Sequence, residues 1–78
     1  MGGLVTALRD AMNPHKRLVI SNPEKQKTSG VAVRQMLNRA GVVSWGWEVS
    51  DKRIVFRVYK PHQYTAKGLL EEKDIKLD

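Results

Sequence analysis

The sequence predicts an α+β domain in which two helices cover one face of a small sheet, in the order α-β-α-β-β with a short C-terminal tail. Three observations carry this expectation. Apolar residues recur at helical spacing in two stretches, they alternate with period two through residues 43–59, and Pro, Asn and Gly mark the joints between these segments. With 78 residues the chain has room for one compact domain. Residues 1–60 are read as that domain and residues 61–78 as an extension.

Leu4, Leu8, Ala11 and Met12 share a helical face, with Arg9 and Asp10 on the other side, so a first helix is expected over 3–12. Asn13-Pro14 ends it, because the residue before proline is pushed out of the helical region. The basic run His15-Lys16-Arg17 leads into Leu18-Val19-Ile20, whose β-branched character predicts a strand. Ser21-Asn22-Pro23 breaks it, and Glu24 to Thr28 forms a polar loop carrying Lys25 and Lys27. Thr28 or Ser29 can cap a second helix whose apolar stripe is Val33, Met36, Leu37 and Ala40, and Gly41 suits its left-handed stop.

From Val43 the pattern turns to strands. Val43, Trp45, Trp47 and Val49 alternate with Ser44, Gly46 and Glu48, and Ile54, Phe56 and Val58 alternate with Val55, Arg57 and Tyr59. Ser50-Asp51-Lys52 between them predicts a hairpin. The alternation places both indoles on one face with Val43 and Val49. Core is the structural expectation for them, and a stacking platform for unpaired bases is the functional one. Tyr59 shares a face with Arg57, opposite Phe56. Beyond Pro61 the β character fades, and residues 69–77 are read either as a terminal helical turn or as a segment that orders on a partner.

Fourteen Lys and Arg against eight Asp and Glu give a net charge of +6. Eleven of the basic residues and four of the acids lie at or before Lys60, so the first sixty residues are a polycation and the tail is slightly acidic. A polycation favours polyanions, since neutralised phosphates release condensed counterions. The cations fall into three groups: His15, Lys16 and Arg17; Lys25 and Lys27; and Lys52, Arg53, Arg57 and Lys60. Thr28 and Ser29 add hydroxyls and free amides where the second helix begins, an arrangement suited to anions.

Chemistry beyond binding has little support in the sequence. His15 and His62 lie in basic or proline-flanked loops, and no spacing ties either to a nucleophile, so no catalytic residue is expected. Glu71, Glu72 and Asp74 lack the alternating ligands and glycine of a calcium loop, and read as a solvated face rather than a metal site. No strand, glycine loop and helix follow one another around Gly2-Gly3 or Gly41 to cradle a phosphate. No cofactor and no small-molecule substrate is therefore expected. The chain has no cysteine, which excludes disulfides and thiolate metal sites. No apolar run approaches the roughly 18 residues of a membrane span, the N-terminus is too short and polar for a secretory signal, and Gly2 with Thr6 is a loose myristoylation match.

Several strings, in this order and spacing, resemble the N-terminal domain of the eighth small-subunit ribosomal protein family of bacteria and organelles. Residues 4–11, Leu-Val-Thr-Ala-Leu-Arg-Asp-Ala, are similar to its opening helix, which typically ends in Arg-Asn-Ala. Residues 18–23 resemble its first strand and turn, residues 31–43 its second helix with the Leu-x-x-x-Gly ending, and residues 53–60 its third strand. The resemblance covers about residues 3–60. It implies a primary ribosomal-RNA binder that stabilises the central domain of the small subunit, with Arg9, Lys25 and Lys27 as the foremost RNA contacts. It also implies neighbouring ribosomal proteins as partners, met through the C-terminal tail, and a ribosomal location, mitochondrial in preference to cytoplasmic.

The chain departs from the family pattern in three places. Asp10 stands where the family has asparagine, the loop before the second helix is longer, and residues 61–78 do not match the family's C-terminal RNA-binding domain. That implies a reduced form, half of a split protein, or a homologue whose neighbours replace the lost contacts. Two other classes fit parts of the sequence. A winged-helix-like DNA-binding regulator would use helix 28–40 followed by the cationic hairpin 43–59, but would need a helix within residues 16–28. A protein-interaction adaptor would carry its positive charge incidentally.

Overall fold

The computed structural model of the chain describes residue 8 and residues 10–78. Residues 10–12 are helical, and the helix stops at Asn13-Pro14 as the proline requires. Leu8 is helical too, and exposed; the other residues of the first expected helix, including Arg9, lie outside the described residues.

Strand β1 is His15–Ser21, starting at the basic lead-in rather than at Leu18. Helix α1 is Gly30–Arg39. Ser29 is its N-cap, in extended conformation, and its Oγ accepts the amide of Ala32 at 3.2 Å. At the other end Gly41 takes φ +75°. The amide of Gly41 donates to the Asn38 carbonyl and that of Val42 to the Leu37 carbonyl, which satisfies two carbonyls the helix would otherwise leave open.

Strands β2, Ser44–Val49, and β3, Arg53–Tyr59, form the hairpin. The Ser50 hydroxyl holds its turn by accepting the amides of Lys52 and Arg53. The sheet is antiparallel with order β1-β3-β2, so β3 is central. Leu18 lies opposite Phe56 and Ile20 opposite Ile54. With Val58 these side chains form the buried face. The second face of the same two strands carries His15, Arg17 and Val19 beside Tyr59, Arg57 and Val55.

Among the described residues, two helices cover the buried face. One is α1, through Val33 and Leu37. The other is α2, Gln63–Glu72, which follows a 3-10 turn at Lys60–His62. Residues 61–78, read from sequence as an extension, supply Ala66, Leu70 and Ile75 to the same apolar cluster as β1 and β3. The chain then runs along the outer edge of β1, where the Asp78 amide donates to the Val19 carbonyl at 2.9 Å. Gln26 holds this segment in place, its amide bonding Ser21 and the Lys76 backbone.

The alternation in β2 breaks at Gly46, which has φ +65°. The pairing with β3 shifts between Trp45 and Glu48, a β-bulge. Trp45 lies opposite Arg57 on the second face. Trp47 lies over the core, stacked on Phe56 with ring centroids 4.3 Å apart and planes within 5°. The two indoles therefore occupy opposite faces, contrary to the expectation that both share one. Trp45 is buried, and Trp47 is half-buried with one ring face against Phe56, so the two indoles form no shared platform for bases.

Candidate nucleic-acid interface

Lys25 and Lys27 meet the first half of the third basic group, Lys52 and Arg53, at one end of the sheet. After β1 the chain turns tightly: Asn22 and Lys27 have positive φ, and the amides of Gln26, Lys27 and Thr28 donate back to Asn22, Glu24 and Pro23. The Asn22 amide also donates to the Lys52 carbonyl at 2.8 Å, tying this loop to the hairpin turn. Lys25, Lys27, Lys52 and Arg53 are all exposed, and none makes an ion pair among the described residues. Glu24 and Asp51 are exposed in the same segments. Ser29 sits at the adjoining start of α1, already accepting the Ala32 amide through Oγ. Thr28 is half-buried beside the helix.

The remaining cations are at the opposite end of β1 and β3, where the Lys60 amide donates to the Pro14 carbonyl. Arg57 is about 13 Å along the strand from Arg53, at roughly 3.3 Å per residue, so the two ends are separate patches. This second patch is partly spent on structure. Arg17 and Arg57 are direct cross-strand neighbours on one face, a like-charge pairing that is unfavourable by itself. Asp10 relieves it: its Oδ2 meets Arg57 Nε at 2.8 Å, and its Oδ1 accepts the Trp45 indole N–H at 2.7 Å. Arg57 also reaches the Gly46 carbonyl at 3.4 Å. The His15 ring lies edge-on to Trp45, with Nδ1 3.1 Å from the Asn13 carbonyl and Nε2 3.8 Å from Asp10. Arg57 and His15 are thus half-buried and engaged within the protein, while Lys16, Arg17 and Lys60 remain exposed. Lys16 points to the helix side of the sheet and Arg17 to the other.

The structural role of Asp10 is invisible in the sequence, which places it only on the polar side of the first helix. Its partners lie in β2 and β3, and no local pattern announces them. His62 is also engaged, its Nδ1 accepting the Val43 amide at 3.1 Å and its ring edge-on to Tyr59. Tyr59 is half-buried in that contact. Among the described residues no group of three His, Cys, Asp or Glu is placed to hold a metal, and no helix is long and apolar enough to cross a membrane. Residues 16–28 form strand and turns, without the helix that a winged-helix arrangement needs ahead of α1.

The class these features define is a small α+β domain with a cationic corner built from a loop and a hairpin. No protein-family model, curated protein or solved structure matches the chain.

Proposed function

We propose that the chain is a structural RNA-binding protein of a ribonucleoprotein, without catalytic activity of its own. The observation that carries this reading is the Asn22–Lys52 hydrogen bond, which gathers Lys25, Lys27, Lys52 and Arg53 around the start of α1. Four exposed cations on two turns tied together through their backbones offer a compact positive patch to a phosphate backbone, and the half-open helix start adds amide donors. The resemblance of residues 3–60 to the small-subunit ribosomal family makes ribosomal RNA of the small subunit the proposed ligand. Neighbouring proteins would then meet the exposed acids Glu71, Glu72 and Asp74. With a corner of this size, the grip on RNA is weak alone and strengthened by assembly.

The test is binding to a small-subunit RNA fragment across a salt series. Each phosphate neutralised contributes a log–log slope of about −0.7 to −0.9, so three or four contacts give about −2 to −4. Changing Lys25, Lys27, Lys52 and Arg53 together to glutamate abolishes binding and flattens the slope. Equal or tighter binding to duplex DNA, or unaltered RNA binding by the quadruple variant, rejects the reading.

A further inference from the structure

On the helical side of the domain, away from Trp45 and Arg57, α1 and α2 leave an open groove of about 660 Å³. Its apolar wall comes from Val33, Met36 and Ala40 of α1, Leu69 of α2, and Ile75. Met36 and Leu69 are only partly buried, although both pack on the core. The ionisable residues lining the groove are Lys27, Arg39 and Lys73, all exposed and all cationic. None of the three forms an ion pair among the described residues.

We propose that this groove docks an acidic protein segment that inserts one or two large apolar side chains between α1 and α2. The apolar wall supplies the burial, and methionine adapts its shape to different side chains. Three cations without a single acid in the lining select against basic partners and favour carboxylates flanking the inserted residues. RNA fits less well. No aromatic ring lines the groove for bases to stack on, and an apolar wall gains nothing from a phosphate backbone. The site shares Lys27 and Thr28 with the cationic corner but not Lys25, Lys52 or Arg53, so a protein partner and RNA can be bound together.

The experiment uses the full chain, isotopically labelled, and a synthetic helical peptide of about fourteen residues with leucines at i, i+3 and i+7 among glutamates. The expected result is a set of amide shift changes confined to Met36, Arg39, Leu69, Lys73 and their neighbours. Arg39→Glu with Lys73→Glu, both surface changes, weakens the peptide about tenfold, as two rim charge pairs of somewhat under 1 kcal/mol each imply. The salt slope for RNA is unchanged in that variant, which separates a failure of this inference from a failure of the RNA reading. Three results overturn the proposal. One is equal binding by a peptide with serines in place of the leucines. Another is an RNA oligonucleotide shifting the same groove resonances and displacing the peptide. The third is concentration-dependent shifts of those resonances without peptide, which would make a second copy of the chain the occupant.

Discussion

Asp10 and Arg57 meet at 2.8 Å with their side chains only 22% and 21% exposed, and the other oxygen of the same carboxylate takes the Trp45 indole N–H. One carboxylate thereby fastens the end of the first helix to the second face of the sheet. It also neutralises one of two arginines that face each other across β1 and β3. Removing it leaves a half-buried guanidinium without its counter-charge. Asp10→Ala is expected to lower stability by about 1–3 kcal/mol, and Asp10→Asn by less, because an amide oxygen still accepts from the indole. Urea unfolding with an unchanged m-value measures both. An Asp10→Ala midpoint equal to that of the parent would contradict the anchoring role.

Gly46 sets which face each tryptophan takes. In an ordinary exposed strand position valine is preferred over alanine or asparagine. At φ +65° that order inverts, because a branched Cβ is the most crowded there while asparagine tolerates the left-handed region. Thermal melts are expected to rank glycine first, then asparagine, alanine and valine, with alanine about 1 kcal/mol below glycine. A valine variant as stable as the parent would mean that the bulge is not required.

Gly30, the first residue of α1, is buried against Val49 of the edge strand. A Cβ built there would be 2.6 Å from Val49 Cγ2 and 3.2 Å from Cγ1. Helix propensity alone makes Gly30→Ala stabilising by up to about 1 kcal/mol, but the overlap outweighs it and the net effect is expected to be a loss. Val49→Ala in the same chain removes the overlapping methyls and restores the gain. The double-mutant cycle therefore yields a coupling of about 1 kcal/mol or more, and a coupling near zero would show that Val49 simply moves aside.

Leu70 is fully buried between α2 and the sheet. Leu70→Ala is expected to lose about 2–5 kcal/mol, a large share of the stability of a domain this small. A chain ending at residue 60 lacks Ala66, Leu70 and Ile75 from the core altogether, so circular dichroism should find no cooperative melt. A sharp transition in that shortened chain would restore residues 1–60 as a self-sufficient domain.

The parts of the fold that sequence made legible are those decided by near neighbours. Ser29, the Val33–Leu37 stripe and Gly41 delimit α1 because capping and stopping are chemistry within one turn. The hairpin is readable because Ser50-Asp51-Lys52 separates two alternating runs. Helix α2 was not, since Pro61, Gly68 and a polar sequence hide an apolar stripe only two residues deep, and its burial is decided by a sheet formed earlier in the chain. The faces of Trp45 and Trp47 were misread because alternation continues in the letters through Gly46 while the backbone inserts a bulge. For the candidate interface, the nature of the cations was legible and their grouping was not. The Asn22–Lys52 bond joins two turns on either side of α1, and Asp10 withdraws Arg57 from the surface by a contact that only the folded sheet creates.

The central position of β3 has a kinetic consequence. It meets β2 across a turn of three residues but meets β1 only after the chain has passed through α1 and the hairpin. Closing that larger loop forfeits more chain entropy before any pairing repays it. The hairpin with its Trp47–Phe56 stack is thus the natural nucleus, and attachment of β1 with its arginine pair follows. Substitutions in the hairpin should slow folding, whereas those in β1 and α2 should mainly hasten unfolding.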